Sequence, residues 1–182
     1  MLFSEEKEGL HADNPLDFKE IYYSNIQLLF RISYRIVCDE EAAEDLVHDS
    51  LIKMSEKKMF FQTMDDAKYW LIRVVKNNSL NYAKRKVRER NAYQKALYED
   101  KRRQTTGEED YLRKETQLQT VEALNKLPEK LKSILILREY AELNYKEIAR
   151  VLGITEGNVK IRIFRAREQL AKILGEDNVY LS

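Results

Sequence analysis

Cysteine, histidine, proline and glycine are all scarce in this 182-residue chain, and each shortage removes a class of protein. The single cysteine, Cys38, excludes an internal disulfide framework and reads as a small buried residue. The only histidines are His11 and His48, Cys38 has no partner at metal-ligand spacing, and no glycine-rich phosphate loop occurs. A non-enzyme is therefore expected, with no catalytic residue, metal or other cofactor; His48 beside Asp49 reads as two neighbours on a helix surface. No apolar run nears the ~18–20 residues that cross a bilayer, and no charged head with an apolar core opens the sequence. A soluble, cytoplasmic protein with no membrane insertion follows.

Five Gly and two Pro leave few helix breakers, and the charged residues, 35% of the chain, sit among Leu, Ile and Ala. The fold class expected is all-α. A chain of this length can bury one good core or two small ones, and its composition favours two helical domains joined by a flexible linker.

The formal net charge of +1 hides an asymmetry. Residues 1–66 hold seven Lys and Arg against fifteen Asp and Glu, whereas residues 73–103 hold eleven against three. Such a basic stretch is a candidate phosphate-binding surface or else a solvated helix face.

Phe18, Ile21, Tyr22, Leu28, Leu29 and Ile32 mark one face of a first long helix, broken at Cys38-Asp39-Glu40-Glu41. A second helix carries Ala43, Leu46, Val47, Leu51 and Met54 inward, which leaves Glu44, Asp45, His48 and Asp49 as an outer acidic ridge. Periodicity lapses over Lys57 to Asp66, so Phe60 and Phe61 fall in an expected loop before Asp65 or Asp66 caps a third helix. That helix begins with Trp70, Leu71, Val74 and Val75 and continues into Asn77, Asn81, Lys84, Arg85, Lys86, Arg88 and Arg90. Residues 91–117 are polar and lack an apolar stripe, as a linker would. A second module starts near Leu118 and runs through Val121, Leu124 and Leu127 to Pro128, which fits the first turn of the next helix. Leu131, Ile134, Leu135 and Leu137 are that helix's buried face.

Asn144 and Glu147 approximate a capping box for a helix Tyr145 to Leu152, Gly153 ends it, and Thr155 caps another two residues later. Ala149 is the small residue a steep crossing needs, and Val159 the apolar anchor. With Gly153 they are spaced as a helix-turn-helix demands. Val159, Ile163, Ala166 and Leu170 face the core, leaving Asn158, Lys160, Arg162 and Arg165 outward, side chains suited to base edges and phosphates in a major groove.

Leu127-Pro128-Glu129, Tyr145-Lys146-Glu147-Ile148-Ala149 and Arg162-Ile163-Phe164-Arg165-Ala166-Arg167-Glu168 together resemble region four of bacterial RNA polymerase sigma factors. Ala43-Glu44-Asp45-Leu46-Val47-His48-Asp49 resembles region two, as does Trp70-Leu71 followed by Asn77, Asn81 and Tyr82. The likeness covers roughly residues 15–90 and 118–174, and the short length is similar to the extracytoplasmic-function (ECF) group of the sigma-70 superfamily. His48 stands where the family often has Gln, Leu51 where Phe is common, and Asn158 where Thr usually precedes the recognition-helix Val.

The resemblance implies region two over 1–90, a linker over 91–117 and region four over 118–182. It implies that Glu44, Asp45 and Asp49 meet basic residues on the coiled-coil clamp of the polymerase's largest subunit. Lys76, Asn77, Asn81, Lys84 and Arg85 would hold the separated strand at the minus-ten element. Phe60 and Phe61 fall in what resembles the specificity loop that receives a flipped base, with core packing as their other reading. Asn158, Lys160, Arg162 and Arg165 would enter the major groove of the minus-thirty-five element. Core RNA polymerase, promoter DNA and an anti-sigma factor are the partners that the likeness carries with it. A freestanding helix-turn-helix regulator and a helical adaptor without DNA contact are the rival readings.

Overall fold

The computed structural model describes residues 9–99, 123–124 and 126–175, with side chains up to Tyr93 and from Ala123 onward. Three helices form the first module: α1 (Pro15–Val37), α2 (Glu40–Glu56) and α3 (Met64–Glu99). Local chemistry sets their ends. Asn14 accepts from the backbone N–H of Leu16 and Asp17 and is followed by Pro15, whose missing N–H costs nothing at a first turn. Cys38 closes α1 at φ 54°, and Asp39 at once caps α2 through Ala42 N–H. At the start of α3 the capping oxygen belongs to Thr63, which accepts from Asp66 N–H at 3.2 Å, rather than to Asp65 or Asp66.

Ile21, Leu29 and Ile32 of α1, Val47, Leu51 and Met54 of α2, and Leu71, Ile72, Val75 and Leu80 of α3 are nearly or fully buried together. Phe18, Tyr22 and Leu28 flank them, half-buried. Small residues allow α1 and α3 to approach closely: Ser33 and Ser79 share a buried hydrogen bond of 2.8 Å between their hydroxyls. Cys38 is exposed, not buried, because it lies at the left-handed end of α1 rather than on its inward face.

The expected loop at Phe60 and Phe61 is a short strand. β2 (Phe60–Phe61) pairs antiparallel with β1 (Leu10–His11), Leu10 opposite Phe61 and His11 opposite Phe60. Adjacent strand residues point to opposite faces, so Phe61 enters the core against Trp70 while Phe60 stays about half exposed beside His11. Among the described residues the architecture is thus all-α apart from this two-residue ladder.

In the second module α4 (Glu129–Leu135) widens into a π turn over Ile136–Tyr140, followed by α5 (Tyr145–Leu152) and α6 (Glu156–Leu174). The expected capping box is complete: Asn144 accepts from Glu147 N–H at 2.9 Å, and Asn144 N–H donates to Glu147 at 2.8 Å. Gly153 ends α5 at φ 67°, a conformation that an L side chain resists, and Thr155 caps α6 through Asn158 N–H. Ile134, Leu137, Ile148, Val151, Val159, Ile163 and Ala166 make the core.

The two modules touch. Arg73 on α3 donates to the backbone oxygens of Val151 (2.7 Å) and Arg150 (3.3 Å) at the C-terminal end of α5, where free carbonyls attract a cation. Asp66 pairs with Arg150 at 3.0 Å, Lys84 with Glu129 at 2.6 Å and Arg31 with Glu142 at 3.4 Å. Tyr69 lies beneath the Arg150 guanidinium and hydrogen-bonds Glu147, and burial with the nearby carboxylates of Asp65 and Glu147 raises its pKa. α3 runs unbroken through position 90 to Glu99; the expected linker beyond Glu99 and the module start near Leu118 lie outside the described residues.

Candidate nucleic-acid interface

On α6 the inward residues are Val159, Ile163 and Ala166, with Leu170 half-buried, as their spacing predicts. Asn158, Lys160 and Arg165 are exposed along the other side, while Arg162 is half-buried at its edge. Ile161 and Phe164, 50% and 53% exposed, share the outward face. The outward set expected from the sequence held polar residues alone and named neither of them, although the same period places both outside the Val159, Ile163 and Ala166 stripe.

α3 divides the expected minus-ten residues between two adjoining stripes. Asn77, Asn81 and Arg85 recur at steps of four and are exposed. Asn81 and Arg85, with Asn78, Tyr82 and Arg88, form one wall of an open groove of about 780 Å³ against α2. Asp49 stands on the opposite wall. The Arg85 guanidinium lies 5.4 Å from the Tyr82 ring centre and 3.6 Å from Glu89, so its fork is held over the groove by a flat face and an acid one turn on.

Lys76 and Lys84 belong to the other stripe, with Arg73, and that stripe faces the second module. Lys76 is only 6% exposed, against the expectation of an open phosphate contact. Burial lowers its pKa, with Glu129 opposing that shift. The Glu129 carboxyl is in turn held below its ordinary value, first by the hydrogen bond from Lys84 and then by that lysine's charge. Of the two readings of the phenylalanine pair, Phe61 takes core packing at 5% exposure, and only Phe60 offers a ring to solvent. Arg73 is the interface residue that sequence reasoning overlooked, since it sits inside an apolar run.

Glu44, Asp45, His48 and Asp49 are all exposed on α2, so the acidic ridge exists as spaced. The His48 ring stacks on Tyr22 with an interplanar angle of 4°. Among the described residues no group of His, Cys, Asp and Glu could hold a metal ion, and no helix is long and apolar enough to cross a membrane.

A basic, exposed second helix of a helix-turn-helix, joined to a three-helix module with an acidic ridge and a groove that Arg85 and Arg88 line on the α3 side, defines a two-module DNA-binding protein. Comparison with known proteins gives the class: the family models "Sigma-70 region 2" and "Sigma-70, region 4" match residues 21–89 and 117–170. RNA polymerase sigma factor YlaC of Bacillus subtilis is 31% identical over 89% of this chain and 92% of its own length. ECF RNA polymerase sigma factor SigE of Mycolicibacterium smegmatis is 28% identical over 86% of this chain and 61% of its own length. Among solved structures, CnrH in complex with the cytosolic domain of CnrY gives a TM-score of 0.61 at 20% identity, over 92% of this chain and 94% of that one. Sigma factor RpoE in complex with anti-sigma factor NepR from Bartonella quintana gives 0.54 at 23% identity, over 89% and 99%. Both share the fold.

The chain belongs to the RNA polymerase sigma factors, in the ECF group of the sigma-70 superfamily. It is a transcription initiation factor that binds core RNA polymerase and directs promoter recognition and DNA opening; a freestanding regulator is not favoured.

Proposed function

We propose how the surfaces divide that work. The ridge of Glu44, Asp45 and Asp49 docks on a basic helical surface of core polymerase, where opposite charge speeds and orients association. Asn77, Asn81 and Arg85, with Phe60, hold the separated minus-ten strand; cations and amides take the backbone, and the ring stacks on a base for ~1–3 kcal/mol. Asn158, Lys160, Arg162 and Arg165 enter the minus-thirty-five major groove. Residues 1–90 are the region-two unit, 91–117 the linker and 118–182 the region-four unit.

The observation that carries this reading is the outward face of α6, where Asn158, Lys160 and Arg165 are exposed together behind a completed helix-turn-helix. Two modest DNA contacts on one chain reinforce each other through effective concentration. Lys76 is buried and Lys84 is paired with Glu129, so these two lysines reach DNA only after the second module moves off α3. The chain acts without catalysing a reaction, in the cytoplasm where core polymerase works. An anti-sigma factor is a further partner, supported by the NepR complex of a protein with the same fold.

In vitro transcription with core polymerase and a promoter library tests the division. Arg165→Ala should lose upstream footprint protection, and Arg85→Ala should lose strand opening while keeping that protection. Undiminished upstream protection in Arg165→Ala would remove it from the interface.

A further inference from the structure

The recognition helix shows water two apolar side chains, Ile161 and Phe164, and the first of them stands among the polar residues expected to meet DNA. Ile161 is 50% exposed, one turn beyond Asn158 and one turn before Arg165. It takes no part in the core, to which this helix gives Val159, Ile163 and Ala166, with Leu170 and Ile173 packed against it. Lys160 and Arg165 are exposed beside it. An apolar group flanked by cations on a groove-sized helix suits a partner that is anionic at its edges and apolar at one point between them. Duplex DNA is such a partner, and in its major groove only thymine presents an apolar group, the C5-methyl.

We propose that Ile161 reads a thymine methyl in the upstream promoter element and is a specificity-determining residue of this chain. The proposal rests on placing α6 in the major groove. Asn158 and Ile161 are three residues apart, about 4.5 Å along the helix at 1.5 Å per residue, against ~3.4 Å per base pair. The thymine therefore lies within about one step of the base pair that Asn158 contacts. Ile161 gives no hydrogen bond, so it discriminates by filling space against the methyl.

The test uses holoenzyme assembled from the full chain and core polymerase. A promoter is selected from fragments randomised in the upstream element, and each upstream thymine is then replaced singly by deoxyuridine, which differs only in lacking the methyl. One thymine should be fixed by the selection, and its replacement should weaken binding about four-fold, the equivalent of ~0.8 kcal/mol for one methyl-sized group. Ile161→Val should keep most of that penalty. Ile161→Ser should abolish it, binding the thymine and deoxyuridine promoters equally.

Failure to select a thymine, absence of any deoxyuridine penalty with the unmodified chain, or a full penalty surviving in Ile161→Ser each overturns the proposal. The first two readouts need no variant and so do not depend on one folding. Arg165→Ala and Asn158→Ala separate the two levels of the argument. If they weaken upstream protection while Ile161→Ser leaves the penalty intact, the groove placement stands and the Ile161 assignment falls. If neither alters protection, the placement falls and the Ile161 assignment with it.

Discussion

Replacing Glu129 by glutamine removes one negative charge from the seam between the modules and nothing else of comparable size. Its carboxylate lies 2.6 Å from the Lys84 ammonium, and its charge also acts on the buried Lys76 and on Lys132, whose pKa values are lowered by burial and raised again by Glu129. The Lys84 and Glu129 side chains are 42% and 57% exposed, so water screens the pair and the whole contribution is modest, about 0.5–1 kcal/mol. That corresponds to a two- to five-fold shift from the closed toward the open arrangement, with the Arg73 and Asp66 contacts still in place. Fluorescent probes on α2 and α6 of the free chain would report the inter-module distance, and a labelled single-stranded promoter oligonucleotide would report access to Lys76 and Lys84. Glu129→Gln should lengthen the mean distance and tighten oligonucleotide binding by a similar factor at low salt. At 1 M salt, where the screening length falls to ~3 Å, the difference from the unmodified chain should vanish. Equal distances and equal affinities at low salt would refute the idea that this pair holds the modules together.

Acid should act on the same pair. The folded carboxyl of Glu129 titrates below its ordinary value, so the open chain binds more protons in the interval between the two. The clasp is at full strength above the ordinary glutamate value of about 4.5 and is lost as pH falls through the lower, paired value; the same distance measurement should show Glu129→Gln less responsive than the unmodified chain over that window, with the Asp66–Arg150 and Arg31–Glu142 pairs accounting for what response remains. Charge reversal of both Asp45 and Asp49 to lysine should weaken core-polymerase binding about ten-fold, read by titration against labelled core; unchanged affinity would remove the ridge from the interface. Gly153→Ala, at φ 67° with open space for a Cβ, should cost only the left-handed strain of ~1–2 kcal/mol by denaturant midpoint. Gly9→Ala should cost more, since its Cβ would lie 2.7 Å from the Phe60 ring and the Phe61 carbonyl oxygen at φ 91°. The reverse order would show that the β1–β2 ladder tolerates displacement.

The helices, the caps at Asn144 and Thr155 and the turn at Gly153 were legible in the sequence because each is set by a few neighbouring residues, whereas the cap of α3 falls to Thr63 rather than to the expected Asp65 or Asp66. Asn144 with Glu147, and Thr155 with Asn158, act within three positions, and the apolar period names the inward face without knowing what covers it. The acidic ridge on α2 and the exposed side of α6 follow from the same period. What covers a face, by contrast, is settled by residues far along the chain. Lys76 carried the same signal as Lys84 and Arg85, yet it is buried because Glu129 and its helix arrive from some fifty positions away. Phe60 and Phe61 were one feature until a strand from the N-terminal end paired with them and sent one ring inward and the other out. Periodicity is a local property of a helix or strand, whereas burial belongs to the pair of surfaces that meet, and only the tertiary structure brings the second surface into view.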